Sequence, residues 1–498
     1  MAITAGGSLN SVALPQKQAT TSNYLDLAST ANQGWAQQYL PDLMEKEAEV
    51  FGQRTISGFL NQVGAEEAMQ GDEVVWSEQG RLHLAYTGQI TDGDAGTVAG
   101  GQITIGNDID GQAAGVSHGI RKNDTVIIAS SEGTVKALVT LTDATAVIEV
   151  APYGVVDLND VFTDNQGANS VTVLVYGSEY KKGDNYDGSS TRGANEPVFK
   201  SFSNKPIILK DYYEVTGSDT ARIGWVEISG EEGQSGYLWY LKAESDTRAR
   251  FTDYLEMAML EGVKGGAAGG YTGGVADLTD SHLYAGGGEV TGTQGLFNAI
   301  EERGNVTSGI SGVNAATDLA EFDAILAEFD KQGAIEENML FVNRASALAI
   351  DDMLASMNSY GAGGTSYGVF DNDEDMALNL GFSGFRRGSY DFYKSDFRYL
   401  NDQATRGGIN AAYAAGAIRG VIVPAGTSSV YDQNLGKNMK RPFLHVRYRA
   451  SQTDNRKMKT WTTGSVGATT SALDAMQIHM LSERCLVTQG ANNFMLMK

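Results

Sequence analysis

The chain has 498 residues, 42% of them hydrophobic, too long for one compact core and apolar enough for several, so roughly two to four units of ~100–200 residues are expected. Its formal net charge is −24, from 37 Lys and Arg against 61 Asp and Glu, which excludes the basic footprint of a nucleic-acid reader or an anionic-membrane binder. A single cysteine, Cys485, excludes an internal disulfide framework, and the opening MAITAGGSLNSVALPQKQ lacks the basic and apolar regions of a secretory signal.

In chain order, residues 1–50 read as a polar N-terminal arm that ends in a short helix within WAQQYLPDLMEKEAEVFGQ. Pro41 falls near its first turn, where a missing N–H costs nothing. With Met1 at the start, no removal of an amino-terminal segment is expected, and both termini are expected to be held in place. Residues 51–96 contain the outgoing strand GDEVVWSE, with Val74 and Trp76 on one face. Between 97 and 177 the β-branched runs QITI, DTVIIAS, TVKALVTL, AVIEV and SVTVLVY alternate with Gly, Asn, Asp and Ser turns, the pattern of an inserted small barrel or sandwich. Glycine is frequent at 61 and proline scarce at 7, so turns are easy and few ladders are broken. Residues 178–215 bring a returning strand, FKSFSNKPIILKDYYEV, so the module is lodged in a long β-hairpin.

The segment 216–263 contains the strongest helical pattern. Leu238, Leu241, Phe251, Leu255, Ala258 and Met259 share a face, Gly262 stands at the C-cap, and the rod is ~37 Å long at ~1.5 Å per residue. Residues 264–435 begin in glycine-rich sequence and continue as a layered α/β region. DLAEFDAILAEFDKQG is its first helix, with Asp318 and Glu321 spaced as a capping box and Leu319, Phe322, Ile325, Leu326 and Phe329 as its buried stripe. MLFVN is an apolar strand and ASALAIDDMLASM the helix after it. The longest apolar stretch, INAAYAAGAIRGVIVPAG, is broken by Arg419 and too short to span a bilayer. Residues 436–498 close the chain with a helix over SALDAMQIHML and a last strand in CLVTQGANNFMLM. Charge is uneven: Arg386 to Lys459 carries 14 Lys and Arg against 5 Asp, a local +9, suited to head-to-tail contact with identical copies or to pairing within its own subunit.

This order of elements resembles the major capsid proteins of tailed bacteriophages, the HK-ninety-seven-type shell fold shared with encapsulins. YLPDLMEKEAEVFGQ followed by GDEVVWSE is similar to the family's arm helix and first extended-loop strand, and the hairpin and rod to its E-loop and spine helix. FDAILAEFDKQG with ENMLFVNRASALAIDDML resembles the axial domain, in which Asn343 matches an Asn often found after the strand, and LVTQGANNFMLM resembles the peripheral domain's last strand. The resemblance implies an α+β fold with axial domain, peripheral domain, E-loop and N-terminal arm, the β-barrel-like insert being additional. It implies a structural subunit that assembles with itself into hexamers and pentamers of an icosahedral head around double-stranded DNA. Portal, scaffolding and cement or decoration proteins are the implied partners, the virion capsid the location and the host bacterial cytoplasm the place of assembly. An encapsulin-like nanocompartment shell and an extracellular acidic adhesin or surface-layer protein are the competing readings. No lysine or asparagine is assigned to the cross-link some members form.

No enzyme, catalytic residue, cofactor or metal is expected. Gly115-Val116-Ser117-His118-Gly119 matches a nucleophile elbow in letters, but a Gly/Ala turn precedes it where a strand is required. His479 and Cys485 lack an orienting third group, and a buried structural cysteine is expected. Asp371, Asp373 and Asp375 imitate a calcium loop, yet Met376 replaces its Gly and Phe382 its closing Glu. Glycine-rich 286–295 lacks a complete dinucleotide or phosphate-loop pattern.

Overall fold

The structure is a computed structural model of the full chain. It describes residues 58–60, 65–78, 83, 85–92, 100–109, 111, 113–114, 118–142, 146–163, 170–183, 200–218, 238–264, 292–333, 335–357, 384–425, 427–432, 437–465 and 470–498. The expected arm at 1–50, Pro41 included, lies outside them. The fold is α+β, and the chain divides into two compact units, residues 77–201 and the remainder, 1–76 with 202–498.

Strands β1 (Ala65–Met69) and β2 (Val74–Glu78) come first. The second unit then contributes β3 (Ala85–Asp92), β4 (Gln102–Asp108), β5 (Asp124–Ala129), β6 (Thr134–Thr142), β7 (Val147–Pro152) and β8 (Val171–Ser178). These six close into a barrel in the order β3-β4-β7-β6-β5-β8. Closure removes the exposed edges that a small sheet would otherwise present. Alternate residues point inward, and Ile90, Ile103, Val126, Ile128, Val139, Ile148, Val150, Val171 and Val173 are fully buried. Gly100 has φ +103°, and a Cβ there would stand 2.2 Å from the Val150 carbonyl oxygen, so only glycine fits this entry to the barrel. The barrel begins at Ala85 instead of residue 97. AYTGQITD, read from sequence as outgoing strand and linker, is its sixth strand, bulged at Thr87/Gly88 and Ile90/Asp92, which obscures the alternation.

The returning segment splits in two. β9 (Lys200–Asn204) pairs with β2 in a two-stranded ribbon, whereas β10 (Ile207–Thr216) runs antiparallel to β20 (Ala475–Thr488). Pro206 lies at the break, where a residue without an N–H cannot continue a ladder. The long helix is α1 (Leu238–Glu261), which packs Phe251 and Leu255 on Ile478 and Met480. The Gly262 N–H closes it onto the Ala258 carbonyl at 3.1 Å.

The α/β region follows: α2 (Leu296–Arg303), β11 (Asn305–Thr307), α3 (Ala315–Gln332), β12 (Glu337–Val342), α4 (Arg344–Met357), β13 (Gly384–Arg387), β14 (Tyr390–Asp396), α5 (Arg398–Asn401), α6 (Arg406–Ala412) and β15 (Gly420–Pro424). Helix α3 starts earlier than its sequence spacing implies. Asn314 is the N-cap, accepting from the Thr317 N–H at 2.9 Å. Asp318 and Glu321 are not a capping box: Asp318 accepts from the Gly312 N–H at 2.8 Å and Glu321 from the Ser311 N–H at 2.6 Å, pinning the loop before the helix. The expected stripe is inward, with Phe322, Ile325 and Phe329 buried and Leu319 and Leu326 packed at its margin. Asn343 caps α4, its Oδ1 accepting from the Ser346 N–H at 2.8 Å.

Four strands remain before the end of the chain: β16 (Thr427–Asp432), β17 (Lys437–Pro442), β18 (Leu444–Arg449) and β19 (Lys459–Gly464). After β20 only β21 (Met495–Met497) follows. The helix expected over SALDAMQIHML is the first half of β20. That strand has β10 on one side and β18 and β19 on the other, and from Met480 to Thr488 it is buried without interruption. A strand covered on both faces loses its alternation, so its apolar run imitates a helix. Beyond a 3₁₀ turn at Ala491–Asn493, β21 leaves this sheet for the other, whose order is β11-β21-β15-β12-β14-β13. The last 24 residues therefore serve both sheets of the unit, and the boundary drawn at 435/436 falls inside the β16–β17 hairpin.

Candidate functional site

Chemistry-bearing groups are dispersed. Of the elbow-like motif, Gly115 to Ser117 lie outside the described residues. His118 sits edge-on to Tyr86, ring centroids 6.2 Å apart, while the Tyr86 hydroxyl accepts from the Gly119 N–H at 2.7 Å. Burial pushes the His118 imidazole below its usual 6.5, and among the described residues neither of its ring nitrogens has a hydrogen-bond partner. A histidine depressed in the folded state adds stability that is complete above the unfolded value and lost as pH falls through it. Below about pH 6.5 the barrel is therefore expected to lose stability, and His118→Leu to flatten that dependence. Far-UV circular dichroism of thermal unfolding across this pH range checks it; equal slopes for both proteins would contradict it.

His479 and Cys485 lie on one strand, six residues apart, hence ~20 Å at ~3.3 Å per residue. They cannot form a nucleophile pair. Burial raises the Cys485 thiol to about 12. The native chain is expected to leave it unlabelled by a thiol reagent and to release one equivalent on denaturation; rapid native labelling would refute this. Asp371, Asp373, Asp375, Met376 and Phe382 lie outside the described residues, as does most of 286–295. Among the described residues no three His, Cys, Asp or Glu are grouped to hold a metal ion, and no helix is long and apolar enough to cross a membrane.

The +9 stretch resolves in favour of internal pairing. Arg387 grips Asp323 through two bonds of 2.5 and 2.8 Å, Arg406 meets Glu261 at 2.9 Å, and Arg447 meets Glu67 at 2.9 Å. Arg449 and Arg456 both reach Glu483 at 2.7 Å, and Lys459 reaches Asp454 at 2.9 Å. Arg386, Lys394, Arg398 and Lys457 have carboxylate partners as well. Ten of the eleven cations with described side chains in this stretch are thus paired inside their own unit, and Arg419 bonds the Ser308 carbonyl. Among the described side chains of the stretch, the charge excess is met within the unit.

Two other places concentrate interaction chemistry. At the root of the β2–β9 ribbon, the Arg303 guanidinium stands 4.3 Å from the Phe202 ring and 5.6 Å from Trp76, a cation held over two aromatic faces. Beside it Asn204 is almost fully buried: its amide donates to the carbonyls of Gln294 (3.0 Å) and Leu486 (2.6 Å), and its oxygen accepts from the Gln294 N–H (2.8 Å). On the sheet, the register aligns Tyr212, His479 and Trp461 across β10, β20 and β19, on the face opposite Ile478 and Met480. Trp461 and His479 stack at 5.1 Å, Tyr212 and His479 at 6.1 Å, and Thr463 Oγ1 hydrogen-bonds His479 Nε2 at 2.7 Å. Tyr212 remains 57% exposed, so this row is an aromatic patch open to solvent. Sequence reasoning passed over Arg303, Asn204 and the row, because each depends on residues brought together from distant segments.

No family model matches the chain, and no curated protein matches it. Among solved structures it is similar to a chain of Mycobacterium phage Ogopogo at 12% identity, covering 63% of this chain and 82% of that one with a TM-score of 0.33. A chain of Microbacterium phage Oxtober96 is 8% identical over 95% of this chain and 99% of its own, TM-score 0.35. The asymmetric unit of the bacteriophage PhiM1 mature capsid is 9% identical over 64% and 78%, TM-score 0.32. The first two are chains from phages and the third is from a phage capsid.

Proposed function

We propose that the chain is the shell subunit of a tailed-phage head, a structural protein that tiles with identical copies into hexamers and pentamers enclosing double-stranded DNA. The observation that carries the reading is the arrangement of the larger unit: a long helix laid on a mostly antiparallel sheet, an α/β layer sharing the C-terminal strands with it, and a ribbon through which the chain leaves to build a separate barrel. This is the order of parts that the capsid resemblance implies. A net charge of −24 would keep packaged DNA from adhering to the shell wall. Portal and scaffolding proteins would be its partners, the virion its location and the host cytoplasm its site of assembly. Many weak contacts per subunit, repeated by symmetry, would make such a shell stable.

Electron microscopy and sedimentation of the purified chain test the proposal. Closed particles with five- and six-fold clusters are expected; a compact species that stays monomeric at every concentration and salt would refute it.

A further inference from the structure

We infer that the turn Ile409–Ala415 docks on the aromatic row Tyr212, His479 and Trp461 of a second copy of this chain; the inference rests on the self-assembly reading above. From the second half of α6 into the link before β15, the run from Gly407 to Ile418 carries no charge. Six of the seven residues from Ile409 to Ala415 are exposed, Ile409 at 54% and Tyr413 at 64%. The turn is held in shape from within. The Asn410 amide donates to the Ile418 carbonyl at 2.8 Å, its oxygen accepts from the Ile418 N–H at 3.0 Å, and the Tyr413 N–H closes on the Ile409 carbonyl at 2.9 Å. Gly416 lies against the Tyr413 ring, where a Cβ would stand 2.3 Å from Cε1. A preordered apolar projection loses little conformational freedom on binding.

Charge and area select the occupant. At −24 each, copies of the chain repel one another, so they approach best where charge is absent. The aromatic row meets that condition: it holds no carboxylate, lysine or arginine, and Trp461 is 38% exposed beside the more open Tyr212. Ile208, on the same face of β10, is 53% exposed, and on the next rung Gln477 donates to Glu214 at 2.6 Å, so that carboxylate is engaged. Aromatic rings of this kind are what a Tyr and Ile projection packs on. The exposed apolar area of the turn is on the order of a few hundred Å², well under the ~800 Å² per partner of a stable pair. A contact of that size holds when symmetry repeats it, which favours another copy of this chain over a solitary partner. The turn leads into the six-stranded sheet while the row lies on the five-stranded one, so the contact joins unlike patches and passes from copy to copy around a ring.

The test is the full chain carrying Tyr413→Asp, followed by sedimentation velocity and electron microscopy beside the wild type. Because Tyr413 is mostly exposed, the melting curve is expected to stay unchanged while assembled protein falls about tenfold or more. If the wild type fails to assemble, the self-assembly reading falls and this inference with it. If both assemble equally, the docking alone is overturned. Should Tyr413→Asp lower the melting curve, cross-linking decides. Cys485 is fully buried, so an introduced cysteine is the reactive thiol. Copies with Ala412→Cys and copies with Lys210→Cys, two exposed positions beside the turn and the row, are assembled together and treated with a short bismaleimide. An adduct joining position 412 of one copy to position 210 of another supports the docking; adducts only between identical variants, or none, overturn it.

Discussion

Asn204→Ala is expected to destabilise the larger unit by about 3 kcal/mol, because it strands several buried groups at once. Removal of the amide leaves the Gln294 N–H and the carbonyls of Gln294 and Leu486 without the partners they now have at 2.6–3.0 Å. Thr293 Oγ1 loses its bond to Asn204 Oδ1 as well, at 3.3 Å. These groups belong to β9, to the segment before α2 and to β20, so one side chain ties together three parts of the chain separated by up to 282 residues. The readout is selective. All five tryptophans, at positions 35, 76, 225, 239 and 461, lie outside 77–201, so their emission follows the larger unit and ignores the barrel. A urea midpoint by tryptophan emission within experimental error of the wild type would contradict the prediction.

Phe341→Ala should cost about 3–5 kcal/mol, the range for an aromatic side chain removed from a packed core. Phe341 is 2% exposed and meets Phe59 edge-on at 4.6 Å and Phe397 at 5.9 Å, while Phe59 and Phe397 stack at 4.9 Å. Three distant segments thus converge on one aromatic cluster, and the cavity left by alanine cannot be refilled by any one of them moving. Phe341→Leu, which keeps most of the volume, should cost less than half as much. If the two variants proved equally stable under the same denaturant titration, the cluster would not be the cause.

Where a segment's own pattern decides its structure, the sequence was legible. The barrel strands β4 to β8 declare themselves through β-branched alternation between turns, and Phe322, Ile325 and Phe329 mark the inner face of α3 at helical spacing. Legibility ended where the environment decides. The segment 475–488 reads as helix then strand because Met480–Thr488 is buried without interruption, so no alternation with polar residues marks it as a strand. The +9 stretch permitted an intermolecular reading because its carboxylate partners, Glu66, Glu67 and Asp72 among them, sit almost four hundred positions away in sequence. Asp318 and Glu321 had the letters of a cap and serve the preceding loop, since Asn314 had already taken the capping role. The arm lies outside the described residues, and with it the helix that opens the resemblance, whereas GDEVVWSE is described and forms β2.

The interleaving of β1 with β18, and of β20 and β21 with the two sheets, has a consequence for biogenesis. By the time Ser178 has been translated all six barrel strands exist, whereas neither large sheet can close until residues 475–497 leave the ribosome. A nascent or prematurely terminated polypeptide thus has a finished passenger on an open core, and maturity of the core is reached only after nearly the whole message has been read. The last-made strands thus set the moment at which the larger unit can close, a timing device written into the order of the chain.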